Sequence, residues 1–443
     1  MEIPQTVEYV LMHLEVNGFK GYLVGGSVRN IFNYKSPKDY DITTDATPEQ
    51  VKSLFAKSYD TGLKHGTVTV VLNGEHFEIT TMRKDGEYKD NRNPEEVFYT
   101  NDLMDDLARR DFTINSIAID INRNVYDYHN GLKDIEHGII RAVGNANMRF
   151  EEDALRLMRA IRFSSQYNFI IEGDTFLAIK NNAYLIQMIS KERIRDELCK
   201  ILMNDSPSKG IRLLYYSGLL QYIIPELCVC FGFQQYNPNH DKDVFHHIMA
   251  VLDATPKTLN IRLGALLHDI AKPCCFSLDE NGIGHFYKHH IIGADMTEEI
   301  LKRLKFDNST IYGVTILVKE HMSRYDKLRI ANTKKFINRV GIENLNDLFE
   351  LQIADIKGSK YKKQEDVDNI MKLSDECFRI LNEKQPLTVK DLEINGDDLI
   401  FLGFKQGKEI GVMLNWLLEM VLINPDLNNY EDLAEHIIRR FTN

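Results

Sequence analysis

The sequence predicts an α/β head built on a mixed sheet, followed by an almost wholly helical remainder. Three observations carry this. Short β-rich runs alternate with helix signals through residues 1–140. From about residue 141 apolar positions at helical spacing, such as Leu155, Met158 and Ile161, take over. Of 443 residues, 43% are hydrophobic, enough to core two to four domains at roughly 100–200 residues each.

In chain order, Tyr22-Leu23-Val24 reads as a strand that ends in Gly25-Gly26, with a helical pattern from Ser27 to Asn33. Tyr40-Asp41-Ile42-Thr43 reads as a second strand. Thr47-Pro48-Glu49 is a helix start, with a capping Thr and Pro in the first helical position. Thr67 to Leu72, Phe77 to Met82, Ile114 to Ile121 and Val125 to Tyr128 are further β-rich runs. Beyond them Pro225, Pro238, Pro256 and Pro273 punctuate the helices, and Asn281-Gly282 marks a turn. The charged stretch Lys360 to Asp368 marks a weaker boundary.

Composition excludes several classes. The six cysteines form no CxxC pair, which fits free thiols in a reducing cytoplasm. Met1-Glu2-Ile3-Pro4-Gln5 does not lead from a basic region into an apolar stretch, so no signal peptide is expected. No apolar run approaches the ~18 residues of a membrane span, so no membrane partner is expected. A net charge of −11 argues against non-specific coating of nucleic acid. Yet Arg141 to Arg212 holds 12 Lys+Arg against 9 Asp+Glu, which makes this stretch the place for phosphate contacts.

Four motifs in the first 156 residues carry chemistry. Gly25-Gly26-Ser27-Val28-Arg29-Asn30 joins a strand to a helix. Glycines let the backbone approach phosphate, the helix N-terminus offers N–H groups, and Arg29 adds charge. Asp39-Tyr40-Asp41 puts two carboxylates on one face of a strand, where they can chelate Mg²⁺. A solvated turn has the same composition; the place shortly after a GG turn favours the metal reading. Glu78, in Phe77-Glu78-Ile79-Thr80, is a candidate third carboxylate. Arg109-Arg110-Asp111-Phe112-Thr113-Ile114-Asn115 can hold a triphosphate, a ribose and a base edge. Glu152-Asp153-Ala154-Leu155-Arg156, with Arg159 and Arg162 following, offers an acceptor and fixed donors at helical i, i+3 spacing.

Taken in order, "YLVGGSVRN", "DYDITTDATPEQV", "RRDFTINSIAID" and "FEEDALRLMRAIRF" resemble the class II tRNA nucleotidyltransferases, the CCA-adding enzymes with a DNA polymerase β-like head, over roughly residues 20–200. The resemblance implies catalytic Mg²⁺ on Asp39 and Asp41 and a triphosphate near Gly26 and Arg29. It implies nucleotide contacts from Arg110, Asp111, Asn115, Arg159 and Arg162, and a protein template in Asp153 and Arg156. Substrates would be CTP, ATP and tRNA, met at its 3′ end and acceptor/TΨC arm. Two positions depart from the family pattern: Asn30 stands where Asp is usual, and Ser116 where Ala is usual. Arg83 to Pro94 resembles the family's flexible loop at full length, which favours CCA addition over its A-adding, CC-adding or poly(A)-polymerase sisters. Ile189-Ser190-Lys191-Glu192-Arg193-Ile194 resembles a neck motif, which makes Lys191 and Arg193 candidate RNA contacts.

In the helical part, "VFHHIMAVLD", "ALLHDIAKP" and "QIADIKG" resemble the HD phosphohydrolase domain over residues 240–360. His247, His268, Asp269 and Asp355 are its implied ligands, for a transition metal such as Mn, Ni, Fe or Zn; His289, His290 and His321 lie between them. The expected division is a head over 1–140, an all-α neck over 141–235, an HD-type helical body over 236–360 and a helical tail over 361–443. In the tail Lys405 and Lys408 are candidate tRNA contacts. Monomer and homodimer are both compatible with this reading. A hydrolase with a decayed head is the alternative from another class, and the intact Asp39/Asp41 pair argues against it.

Overall fold

The computed structural model describes residues 3–35, 37, 39–62, 66–86, 97–237, 241–323, 330–360, 364–383 and 385–442. It divides into two compact units, 1–228 and 229–443. None of the described helices is long and apolar enough to cross a membrane.

The first unit opens with helix α1 (Gln5–Val16), which buries Val7, Val10, Leu11 and Leu14. Strand β1 (Gly21–Val24) runs straight into α2 (Gly25–Phe32). Strand β2 (Tyr40–Thr44) follows, then α3 (Pro48–Leu54), where Thr47 and Gln50 close a capping box. Strands β3 (Ser58–Gly62), β4 (Thr67–Leu72) and β5 (Glu75–Thr81) come next, then the small ladder of β6 (Arg83–Asp85) with β7 (Val97–Tyr99). The middle of the expected flexible loop, 87–94, lies outside the described residues. Helix α4 (Leu103–Ala108) packs Leu103 and Leu107 against Val24, Met82 and Ala118. Strands β8 (Ala118–Ile119) and β9 (Val125–Tyr126) complete a seven-stranded sheet of order β3-β4-β5-β2-β1-β8-β9. Its β2–β5 pair is parallel, and the other neighbours are antiparallel.

The strand expected from Ile114 to Ile121 is mostly absent. Residues Thr113–Asn115 form a single 3₁₀ turn, and only Ala118–Ile119 pair in the sheet. Local polar side chains compete with the ladder: Thr113 donates to Asp134, Asn115 to Asp111, and Ser116 to the Leu107 carbonyl.

Helix α5 (Gly131–His137) leads to β10 (Ile139–Ile140), then α6 (Ala146–Glu152), α7 (Leu155–Tyr167) and β11 (Ile170–Ile171), which pairs in parallel with β10. Helices α8 (Gly173–Asn182), α9 (Lys191–Leu202), α10 (Pro207–Tyr216), α11 (Leu220–Ile223) and α12 (Pro225–Cys228) close the unit, with α7 packed on α9 and α10.

The second unit contains α13 (Val244–Ala254), α14 (Leu259–Leu267), the hairpin β12 (Phe276–Leu278) and β13 (Gly284–Phe286), α15 (His289–Arg303), α16 (Asn308–Glu320), α17 (Ile330–Val340) and α18 (Leu345–Gly358). Helices α13, α14 and α18 pack on one another, as do α15 and α16. Then come α19 (Gln364–Asn382), α20 (Gly396–Phe401), α21 (Lys408–Ile423) and α22 (Tyr430–Thr442). Lys405 and Lys408 are exposed.

Candidate active site

The β1–α2 turn forms as its sequence dictates. Gly25 sits at φ +69°, and a Cβ there would come within 3.0 Å of Asp41 Oδ2 and 3.3 Å of an Arg110 nitrogen. Gly26 N–H donates to the Asp41 carboxylate. Asp41 pairs in register with Val24 on one side and Glu78 on the other. Asp39 lies one residue before β2, exposed, rather than within the strand. Asp39, Asp41 and Glu78 nevertheless line one cavity. Burial pushes the Asp41 carboxyl above its ordinary value, and Asp39 adds to this while Arg110 opposes it. Burial does the same to Glu78, reinforced by Asp41 and Asp39. Three carboxylates around one cavity make a site short of positive charge, which is what a hard divalent cation supplies.

A second cavity, of about 440 Å³, is lined by Arg29, Arg109, Arg110, Arg156, Arg159, Arg162 and Arg193 against Asp41, Asp111 and Asp153. Each arginine is held. Asp106, within α4 and fully buried, accepts from Arg109 at 2.6 Å and from Arg110 at 3.1 Å. Burial would raise the Asp106 carboxyl, but Arg109 and Arg110 hold it below its ordinary value. Arg159 grips Asp111 Oδ2 through two nitrogens at 2.8 and 2.6 Å, and Asn115 donates to Asp111 Oδ1 at 2.8 Å. The same balance leaves Asp111 low despite burial. Arg29 donates to Asn115, and Arg162 to Glu197 at 2.6 Å. Buried nitrogens of Arg29 (Nε), Arg110 (Nε) and Arg193 (Nη1) find no acceptor among the described residues, as expected of a cavity shaped for an anion.

Asp153 and Arg156 do not share one helix. Helix α6 stops at Glu152, and Asp153 is extended at φ −138° and ψ 101°. Its Oδ1 accepts the Leu155 N–H that starts α7, and its Oδ2 faces Arg193 at 3.3 Å. Arg156 is steadied by Glu152 at 2.6 Å and by the carbonyls of Arg149 and Arg109. The i, i+3 spacing therefore brings both side chains to the cavity through a break between helices. Lys191 opens α9 beside Arg193 but does not line this cavity.

Beneath the arginines lies Phe163, buried, with the guanidinium carbons of Arg162, Arg29 and Arg159 at 4.1, 4.8 and 5.3 Å from its ring centroid. A ring face attracts cations and so gathers three that repel one another. Phe163→Leu is expected to raise the KM for nucleoside triphosphate about tenfold, at roughly 0.5–1 kcal/mol per lost cation–π contact. Phe163→Tyr is expected to restore it, and steady-state kinetics of the two variants is the check.

The second unit assembles a different centre. His247 comes from the first turn of α13, His268 and Asp269 from the end of α14, and Asp355 from α18. His289 starts α15 and His321 follows α16. Two groups of three result, His247/His268/Asp355 and Asp269/His289/His321, each with its ligand atoms within 4.8 Å of one another. The expected set is thus brought together, but as parts of a larger centre to which His289 and His321 belong. Asp269 joins the groups: Oδ2 lies 3.2 Å from His268 Nε2 and 3.4 Å from His247 Nε2, and Oδ1 lies 3.4 Å from His289 Nε2. Nδ1 of His268, His289 and His321 lies 2.6–2.8 Å from a backbone carbonyl, which fixes the proton there and turns the Nε2 lone pair inward. The His247 and His268 Nε2 atoms stand 3.3 Å apart, as do those of His289 and His321. Burial pushes His321 down to about 3, keeping it neutral. Facing lone pairs around a carboxylate fit bound cations, and imidazole with carboxylate suits transition metals.

Residues 21–141 match the "Poly A polymerase head domain" family, 168–231 the "Probable RNA and SrmB- binding site of polymerase A", and 288–437 the tRNA nucleotidyltransferase domain 2 family. The CCA-adding enzyme of Lactobacillus helveticus is 35% identical over 426 residues, 96% of this chain and 94% of that one. The CCA-adding enzyme of Ligilactobacillus salivarius is 34% identical over 442 residues, again 96% and 94% of the two chains. Among solved structures, the Bacillus stearothermophilus CCA-adding enzyme in complex with CTP superposes with a TM-score of 0.74 at 26% identity, covering 100% of this chain and 98% of that one.

Proposed function

This chain belongs to the CCA-adding enzymes, the tRNA nucleotidyltransferases, and from that membership we propose how its residues divide the work. The reaction adds C and A to the 3′ end of tRNA from CTP and ATP, releasing pyrophosphate. The observation that carries the assignment of roles is the position of Asp41, which lies on the boundary between the carboxylate cavity and the arginine cavity.

Asp39 and Asp41 are the metal-binding pair, and their hard oxygen donors fit Mg²⁺. Bound there, Mg²⁺ would supply Lewis-acid activation of the attacking hydroxyl and neutralise charge on the leaving group. The Gly26 N–H and Arg29 meet the phosphates, and Arg110 and Arg159 complete a cationic wall. Asp111 and Asn115 hold that wall in place and complete the nucleotide pocket. Asp153 and Arg156 present acceptor and donors to the Watson–Crick edge of C or A. Lys191 and Arg193, two residues apart in the first turn of α9, are the contacts for the RNA end, and the exposed Lys405 and Lys408 suit the body of the tRNA.

Extension of tRNA lacking CCA, with CTP and ATP together and apart, tests the whole assignment; incorporation of ATP without CTP would sink full CCA addition. Asp153→Ala is expected to relax CTP-over-GTP choice by about tenfold or more, because a wrong base no longer leaves a buried acceptor unpaired at about 1–3 kcal/mol. Competition between labelled CTP and GTP reads this directly, and unchanged discrimination would end the template role.

A second reading concerns the other unit. The Asp269-linked histidine groups favour an HD-type centre that binds one or two transition metals (Mn, Ni, Fe or Zn) and supports phosphoester hydrolysis. The four-part division then stands as head 1–140, neck 141–235, HD-type body 236–360 and tail 361–443. A cytoplasmic setting fits both a tRNA substrate and six free cysteines.

A further inference from the structure

Seven arginines line the arginine cavity, and six of them are paired with a carboxylate. Arg109 and Arg110 have Asp106, Arg156 has Glu152, Arg159 has Asp111, Arg162 has Glu197 and Arg193 has Asp153, at 2.6–3.3 Å. Arg29 is the exception. Buried, and shared by both cavities, it has no carboxylate within ion-pair distance among the described residues. Its guanidinium donates to the neutral Asn115 side chain, and its Nε has no acceptor. Two rings on α7 hold it instead. Phe163 and Tyr167 stand one turn apart with centroids 6.2 Å from each other, and the Arg29 guanidinium carbon lies 4.8 Å from both centroids.

A carboxylate restrains an arginine by occupying its N–H donors and cancelling part of its charge. A ring face restrains it through the π cloud and leaves the donors in the guanidinium plane unspent. We propose that Tyr167 is the positioning residue that keeps Arg29 uncancelled for the triphosphate of the incoming nucleotide. The proposal rests on the nucleotidyltransferase reading above. The paired arginines shape the wall, whereas Arg29 meets the phosphates without first giving up a protein carboxylate.

Tyr167 is itself fixed. It is the last residue of α7 and buried, and its hydroxyl donates to Asn30 Oδ1 at 3.0 Å while accepting from Gln166 Nε2 at 3.3 Å. Asn30 follows Arg29 on α2, so this bond ties the helix that carries the cation to the helix that carries the rings. The departure from the family's Asp thereby gains a local meaning: an amide accepts the hydroxyl without bringing a counter-charge next to Arg29. The same ring also meets Lys35, whose Nζ lies 4.8 Å from its centroid. An effect routed through Arg29 must therefore vanish when Arg29 is gone.

The test measures the KM for CTP and the inhibition constants of tripolyphosphate and cytidine in the wild-type chain, Tyr167→Leu and Tyr167→Phe. Tyr167→Leu is expected to raise the CTP KM and the tripolyphosphate constant about fivefold, the worth of about one cation–π contact, and to leave the cytidine constant within about twofold. Tyr167→Phe keeps the ring and is expected to stay within about twofold throughout. In an Arg29→Ala background, Tyr167→Leu is expected to add nothing. Equal rises for tripolyphosphate and cytidine, a full effect in the Arg29→Ala background, or a loss in Tyr167→Phe as large as in Tyr167→Leu each overturn the proposal. Tyr167→Met is the second ring-less variant if Tyr167→Leu does not fold, since its thioether fills irregular space. A wild-type chain that adds no nucleotide to tRNA removes the transferase reading; an active chain whose triphosphate binding ignores loss of the ring removes the role of Tyr167 alone.

Discussion

Asp41→Ala ends nucleotide addition: single-turnover incorporation of CMP into tRNA lacking CCA falls by about a thousandfold or more, the scale of several kcal/mol of lost transition-state stabilisation. The residue stands at a crossing. Its carboxylate accepts from the Gly26 N–H in the first turn of α2, opposes Arg110, and lies beside Glu78 in register. Alanine removes a proposed metal ligand and leaves the arginine wall intact, because Arg110 keeps its bond to Asp106. CTP affinity measured without turnover is therefore expected to change far less than the rate. Activity within tenfold of wild type would disprove the metal role.

Asp269→Ala is the second large effect, and it falls on the other unit. The residue is 2% exposed, and Lys272 Nζ lies 2.7 Å from its Oδ2. Burial would raise its carboxyl, but His268, Lys272 and His247 hold it well below the ordinary value. Removing it leaves a buried ammonium uncompensated, which costs about 3–5 kcal/mol of stability. Calorimetry of metal-free protein measures that loss. Elemental analysis of protein purified without chelator reads the metal: Asp269→Ala is expected to lose it entirely, whereas His289→Ala loses only the share bound with His321. CCA addition serves as the control, since the residues proposed to hold Mg²⁺ and the nucleotide all lie before residue 229. Wild-type protein without metal, or an Asp269→Ala variant as stable as wild type, would contradict the assignment.

Much of the head was legible because its signals are local. The GG turn, the Asp-Tyr-Asp triplet and the Thr47 cap each declare themselves within a few residues; the turn and the cap took the expected place, and of the triplet only Asp39 fell outside its strand. What sequence spacing could not give was long-range or depended on breaks. Asp153 satisfies i, i+3 with Arg156, but a residue that caps the next helix is extended, so its side chain turns to Arg193 forty positions along. Asp106 anchors two arginines by a plain i, i+3 and i, i+4 relation that was available to reading yet unremarkable beside the motif it serves. His289 and His321 carry no spacing signal at all. One starts a helix and the other follows one, and only the packing of α15 on α16 brings them together. Ile114 to Ile121 failed for the opposite reason: β propensity was real, but polar side chains with nearby partners took the backbone away from the ladder.

The parallel pairing of β2 with β5 has a consequence for how the enzyme comes into being. The other neighbour of β5 in the sheet, β4, is reached through a tight hairpin at Asn73-Gly74. By contrast β2 and β5 meet only after the chain between Thr44 and Glu75 has travelled out and back, a non-local closure of the kind that slows folding. The register formed at that late step decides function, because a slip of one residue would exchange Glu78 for its neighbour and turn it to the opposite face. Catalytic competence is thus expected to appear after the hairpin and the α2 turn have formed, so refolding followed by activity lags refolding followed by helix content.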